Sequence, residues 1–398
     1  MKDFTEIEGG LLVAEEFVAA GMAAGVKSEG LDLMLLHSKV PATAAATITS
    51  NRFRAAPTYV TKRHIADGSA QTVVANSGNA NCATGSEGMR NAERMAALAA
   101  QETGVPVEQA LVCSTGRIGV QLPIEVIEAA IPQAAKMLSR DNAELAARAI
   151  MTTDTVPKQA AVEFEAGGRR IGLGAIAKGA GMICPNMATM LCFICTDLAI
   201  AQEPLQVALS RAVSRSFNCI SVDGDMSTND TVIALANGVA GNDLISAPEG
   251  PDFERFQSGL SHVTRELAKM IARDGEGSTK FVTVNVTGGA SYQDAYTVAR
   301  RITNYTLVKT CIWGGDFNWG RIAAAAGAAD VDFDPATVQI SIGGVLAFAA
   351  GEPVEYDAAA GAEAMKGDVE ITVDLGMGGE QATCWTCDIT PTFVELNV

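Results

Sequence analysis

The sequence predicts an α/β or α+β fold, because two hydrophobic periodicities alternate along one long chain punctuated by glycine. Leu205, Ala208, Leu209, Ala212 and Val213 recur at the i, i+3, i+4 spacing of an amphipathic helix. Val282, Val284 and Val286 alternate, as one face of a strand must. Composition is the third observation: 48% hydrophobic and 19% charged residues describe a globular chain and not a disordered one. A chain of 398 residues can bury a large core, as two domains or as one large unit.

Taken in order, the run Lys178-Gly-Ala-Gly-Met reads as a glycine-rich loop that tolerates unusual backbone angles. Pro185-Asn186 signals a turn, and Met187 to Ile194 then reads as a short buried strand. The helix at 205–213 follows. Phe256, Leu260, Val263, Leu267 and Met270 mark a second amphipathic helix. Three alternating runs follow as strands: Val282 to Val286, Val338-Ile340-Ile342 and Val369-Ile371-Val373. No internal repeat or low-complexity linker marks a boundary.

Charge and composition narrow the function. A net charge of −17 and a sequence pI near 4.6 repel nucleic acid and anionic membrane surfaces. The start, MKDFTEIEGG, lacks the basic and apolar regions of a secretory signal. No apolar run approaches the roughly 18 residues of a membrane-spanning helix. Nine scattered cysteines fit free thiols in a reducing cytoplasm better than a disulfide framework.

Three histidines, His37, His64 and His262, have no carboxylate or nucleophile at suggestive spacing, and His262 reads as a solvated residue beside its helix's apolar stripe. Cys192-Phe-Ile-Cys195 and Cys384-Trp-Thr-Cys387 have the spacing of a zinc site. Each lies in a strand-like run, where positions i and i+3 face opposite ways, so buried apolar thiols are expected and no metal. On residues alone, CSTGRIG reads as a glycine turn before a helix, Glu276 as a solvated loop acid, and Thr152 as a helix cap.

The run KGAGMICPNMATMLCFICTD, Lys178 to Asp197, sets the hydroxyl of Thr189 between an apolar turn and an apolar strand. It resembles the self-cleavage site of the ornithine acetyltransferase (glutamate N-acetyltransferase) family of arginine biosynthesis. Seven more family-like words follow in the family's order: NSGNAN (76–81), STG-x-IG (114–119), TTDT (152–155), SFN-x-I-x-VDGD-x-STND (216–230), DGEG-x-TK (274–280), GGDFNWGRI (314–322) and WTCDIT (385–390). Each alone is a turn-like run; together they span nearly the whole chain.

The resemblance implies cleavage between Ala188 and Thr189, leaving an alpha chain of residues 1–188 and a beta chain of 189–398 that share one fold. That fold would be a layered α+β sandwich like that of the self-processing aminopeptidase and acetyltransferase superfamily. The new N-terminal Thr189 would carry hydroxyl nucleophile and amine base on one residue. A free α-amine with a pKa of about 7.7–8.0 suits proton abstraction near neutral pH, without a histidine. Thr115 and Gly116 match the family's oxyanion hole, although Arg117 departs from the small or apolar residue expected beside them. Thr152, Lys178, Thr189, Glu276 and Asn397 match the amino-acid-binding positions. Ornithine and glutamate are charged, so their site needs paired ions and donors. The substrates implied are N-acetylornithine and glutamate, with no resident cofactor and with acetyl-CoA admitted as co-substrate. A cytoplasmic heterotetramer of two alpha and two beta chains follows by analogy.

The chain ends at Val398, one residue past Asn397, where the family pattern continues to a further hydroxyl contact, so a frayed, looser tail is expected. Two other readings stand beside the acetyltransferase. One is a self-cleaved Thr amidohydrolase or aminopeptidase, with water as acceptor. The other is a non-catalytic thiol- or metal-binding protein.

Overall fold

The structure is a computed structural model that describes residues 3–184 and 190–398. The chain divides into two compact units. The first comprises Met1–Gly179, Asn186–Asn218 and Met226–Ala268; the second comprises Ala180–Pro185, Cys219–Asp225 and Lys269–Val398.

The first unit is built on two sheets. A six-stranded sheet has the order Thr5–Ile7, Lys158–Ala166, Arg169–Lys178, Leu191–Thr196, Thr231–Ala236, Thr43–Ile48. Only the pair Leu191–Thr196 and Thr231–Ala236 is parallel. A four-stranded sheet has the order Phe17–Met22, Leu33–Ser38, Thr72–Asn79, Ala110–Arg117, with the last pair parallel. Alternation explains the layering. Phe17, Met34, Leu36, Val73 and Leu111 from the small sheet share one core with Ile176, Leu191, Phe193, Ile233 and Leu235 from the large one. The intervening Leu33, Leu35, Val74 and Val112 face the other way, against Met95, Ala96, Ile127 and Ile131 of helices Gly85–Thr103 and Ile124–Lys136.

On the outer face of the large sheet, helix Gln202–Ser214 is tied to its edge strand by Gln206, which accepts from and donates to the Ala46 backbone at 3.3 and 3.2 Å. Phe256 of helix Pro251–Arg273 meets Phe164 with ring centroids 6.3 Å apart. The first unit is therefore a helix–sheet–sheet–helix sandwich, the layered α+β class expected.

The second unit holds one sheet, ordered Glu352–Pro353, Val345–Ala349, Gln339–Ile342, Val369–Asp374, Phe281–Gly289, Glu380–Cys387. The three strands read from alternation lie side by side. Val282, Val284 and Val286 pair with Val369, Ile371 and Val373, which pair in turn with Ile342 and Ile340. Helix Tyr292–Thr303 turns Ala295, Val298, Ala299 and Ile302 inward.

Both predicted helices form, and Leu205, Ala208, Leu209, Ala212 and Val213 are all buried. Met270, however, is 37% exposed, and Ile271 is buried instead, because a 3.6-residue period carries the stripe from Leu267 to 271. Of the strand expected over Met187 to Ile194, residues 187–189 lie outside the described residues, and the strand runs over Leu191–Thr196. Lys178 is the last residue of a strand and not part of the glycine loop. Among the described residues, no helix is long and apolar enough to cross a membrane.

Candidate active site

The oxyanion candidates lie in the first unit, at the end of strand Ala110–Arg117. This corrects the reading of a turn before a helix: the next helix starts at Ile124, and Thr115 and Gly116 still pair with Ser77 and Gly78 of the neighbouring strand. A bulge at Asn79 ends that pairing. Gly116 has φ 134°, and a Cβ there would fall 2.3 Å from the Gly78 carbonyl carbon, so the two backbones meet closer than any side chain allows. Thr115 is buried and Gly116 exposed, which sets the strand end at the edge of the core.

Separate sequence words converge here. The Ser114 hydroxyl donates to Asn76 Oδ1 at 2.6 Å, and the Asn229 amide donates to the Ser114 and Ala80 carbonyls at 2.8 and 2.7 Å.

Two amino-acid-binding candidates also lie in this unit and touch each other. The Lys178 ammonium, buried at its strand end, donates to the Thr152 hydroxyl at 2.8 Å. Thr152 follows the helix Ala143–Ala149 and caps no helix. Asp154, which sequence reasoning passed over inside TTDT, organises both. Its carboxylate accepts from the Lys158 ammonium at 2.7 Å, from Gly179 N–H at 2.6 Å and from Thr152 N–H at 3.0 Å, and lies 3.9 Å from the Lys178 ammonium.

Burial alone would raise the Asp154 pKa, but the Lys178 and Lys158 ammoniums and the Gly179 N–H hold it at about 2. An acid whose pKa falls on folding adds stability above its unfolded value near 4, and that stability is lost as pH drops toward 2. Acid unfolding followed by circular dichroism should therefore show a shallower loss of stability below pH ~4 in Asp154→Asn, by about 2 kcal/mol. An unchanged acid limb would mean that Asp154 is not ionised and paired in the fold.

Asp230 is a second buried acid that the motif reading left unassigned. It accepts from Met190 N–H at 3.0 Å, and desolvation pushes its pKa well up despite that bond and the nearby Ser227, Lys178 and Thr49 side chains. Ala188 and Thr189, the expected scissile pair and nucleophile, lie outside the described residues.

The other two binding candidates lie in the second unit, and they also touch each other. Glu276 is half-buried and not simply a solvated acid: its N–H donates to the Ala180 carbonyl at 3.0 Å, and its carboxylate accepts from the Asn397 amide at 2.9 Å. A Cβ on Gly181 would lie 2.3 Å from that carboxylate, so glycine is what lets Glu276 approach the chain. The tail is anchored where fraying was expected. Thr390 caps the helix Pro391–Leu396 by accepting from Phe393 N–H, its hydroxyl donates to the Gly277 carbonyl at 2.7 Å, and Asn397 also donates to the Phe393 carbonyl at 2.8 Å. Asp223 of the VDGD word accepts from Met182 and Ile183 N–H at 2.6 and 3.0 Å, and burial raises its pKa to about 6 against those bonds.

The histidines find structural partners. His64 Nδ1 lies 2.8 Å from the Ala110 carbonyl and His37 Nδ1 3.0 Å from the Thr72 hydroxyl. The His262 side chain is only 14% exposed, 3.4 Å from the Glu6 carboxylate, with its ring tilted against Phe4 at 4.7 Å between centroids, which corrects its assignment to solvent. All nine cysteines are free and buried. Cys195 faces the shared core with Phe193 while Cys192 faces away, so this pair does not converge on one ion. Among the described residues, no group of three His, Cys, Asp or Glu side chains could hold a metal.

Comparison with known proteins places this geometry. The ArgJ family model matches residues 18–398. The arginine biosynthesis bifunctional protein ArgJ of Symbiobacterium thermophilum is 48% identical over 395 residues, covering 98% of both chains. The protein of the same name from Thermosynechococcus vestitus is 44% identical over 415 residues, covering all of this chain and 99% of its own. A crystal structure of arginine biosynthesis bifunctional protein argJ from Bacillus halodurans matches with a TM-score of 0.50 and 41% identity, covering 52% of this chain and 97% of the solved one. The match runs through nearly every residue of the sequence, and the chain belongs to the ArgJ family.

Proposed function

We propose that the chain is a glutamate N-acetyltransferase of arginine biosynthesis that moves acetyl from N-acetylornithine to glutamate through an acetyl-Thr189 ester. The observation that carries this reading is identity of 48% over 98% of both chains to a protein named for arginine biosynthesis.

The chemistry starts with the chain itself. Thr189 Oγ attacks the Ala188 carbonyl carbon, the C–N bond breaks, and the freed nitrogen takes the proton. Water opens the resulting ester and leaves residues 1–188 and 189–398 as alpha and beta chains. That the solved relative matches only about half of this chain, across nearly all of its own, supports a chain divided near its middle.

In the transfer, the Thr189 amine takes the hydroxyl proton as Oγ attacks the acetyl carbon. The amide C–N bond then breaks, and ornithine leaves with that proton on its amine. The amine of glutamate attacks the ester, N-acetylglutamate leaves, and the Thr189 hydroxyl is restored. The Thr115 hydroxyl and Gly116 N–H stabilise the oxyanion of each tetrahedral intermediate, and Thr152, Lys178, Glu276 and Asn397 hold the charged groups of the amino acids. Both half-reactions exchange an acyl group between oxygen and nitrogen without redox change, so no cofactor is needed.

The relatives' designation as bifunctional supports acetyl-CoA as a second acetyl donor. The assembly proposed is a cytoplasmic heterotetramer of two alpha and two beta chains.

Incubation with N-acetylornithine should release ornithine catalytically only when glutamate is present, with one N-acetylglutamate formed per ornithine. Steady release of ornithine and acetate without glutamate would replace this reading by an amidohydrolase. Asn397→Ala should raise KM for N-acetylornithine or glutamate about tenfold, with kcat little changed, because a hydrogen bond to a charged group is lost. Initial-rate kinetics check this, and an unmoved KM for both substrates would remove the tail from the site.

A further inference from the structure

We infer that Asp154 is a positioning residue for the acetyl transfer, holding Thr152 and Lys178 together as one amino-acid-reading unit. The inference rests on the proposal that those two residues touch substrate.

The geometry is a closed ring. Asp154 Oδ2 accepts from Thr152 N–H at 3.0 Å, the Thr152 hydroxyl accepts from the Lys178 ammonium at 2.8 Å, and that ammonium lies 3.9 Å from Asp154 Oδ2. The separation of 3.9 Å is beyond hydrogen-bond reach. Asp154 therefore orients Lys178 by its field while the ammonium bonds to Thr152.

The opposite oxygen, Oδ1, is fixed from two other directions. It takes the Lys158 ammonium at 2.7 Å and the Gly179 N–H at 2.6 Å. Lys158 and Asp154 have fully buried side chains, so neither can reorient into water. One carboxylate thus joins the loop after helix Ala143–Ala149, the start of strand Lys158–Ala166 and the end of strand Arg169–Lys178. Lys27 adds to the surroundings: its ammonium donates to the carbonyl of Met151, next to Thr152, at 3.0 Å. A surface loop carrying Thr152 needs no such anchor for folding alone; a loop that must present a hydroxyl and a cation in fixed register does.

Asp154→Asn keeps the shape and removes the charge. In self-processed protein, it should raise KM for N-acetylornithine about tenfold or more, with kcat within about threefold. Asp154→Glu should recover part of that loss. Asp154→Asn leaves Lys158 buried without its counter-charge, so Asp154→Asn/Lys158→Met is the companion variant that replaces the ion pair with a neutral one. It should fold and show the same KM increase. A folded, processed Asn or double variant with wild-type KM overturns the positioning role, as does an equal fall in kcat and kcat/KM with KM unmoved. If the wild-type enzyme itself releases no ornithine in the presence of glutamate, the functional reading fails first and takes the positioning role with it.

Discussion

Thr189→Ala should leave the chain uncut and lower acetyl exchange by at least ~10³-fold, because in the proposed reaction the same hydroxyl opens the peptide bond and then carries the acetyl group. Among the described residues the nine thiols are all buried, and burial raises those of Cys192, Cys184 and Cys195, the three nearest Thr189 in sequence, so they are poor nucleophiles. The histidines are engaged with the Ala110 carbonyl, the Thr72 hydroxyl and the Glu6 carboxylate. Thr189→Ser retains a hydroxyl at the same carbon and should retain cleavage. Denaturing gel electrophoresis and the ornithine-release assay check both variants. Cleavage at this bond in Thr189→Ala would remove Thr189 as the processing nucleophile.

The second large effect is at the oxyanion candidates. Thr115→Ala should lower kcat by roughly 10²-fold or more with little change in KM, since in the proposed reaction its donor acts where charge develops in the transition state. Gly116→Ala should be at least as damaging for a different reason. Its φ of 134° suits only glycine, and the new methyl would meet the Gly78 carbonyl carbon at 2.3 Å, so the strand end itself must move. Steady-state kinetics on the processed enzyme separate the two. A large KM rise with unchanged kcat in Thr115→Ala would reassign that residue to substrate binding.

Regular elements were the most legible part of the sequence. The helix at 205–213 and the paired strands around Val284, Ile371 and Ile340 repeat a buried face often enough for periodicity to reveal them. Loops at strand ends were less legible, because a glycine has no periodicity. CSTGRIG resembles a turn, yet Gly116 lies on a strand because Gly78 is placed opposite it by a parallel pairing that no local pattern announces.

Two buried acids and one half-buried acid were missed for a related reason. Asp154, Asp223 and Asp230 sit inside words rich in Asp, Ser, Thr and Asn, the composition of an exposed turn. What distinguishes them is the set of backbone N–H groups from Thr152, Gly179, Met182, Ile183 and Met190 that fold onto them. The pairings Lys178–Thr152 and Glu276–Asn397 were likewise invisible, although all four residues had been singled out individually.

The intact mass of the purified protein under denaturing conditions tests the central claim most directly. Self-processing predicts two masses, those of residues 1–188 and 189–398, with the second fragment beginning at Thr189. A single full-length mass, in a preparation that transfers acetyl from N-acetylornithine to glutamate, would contradict it.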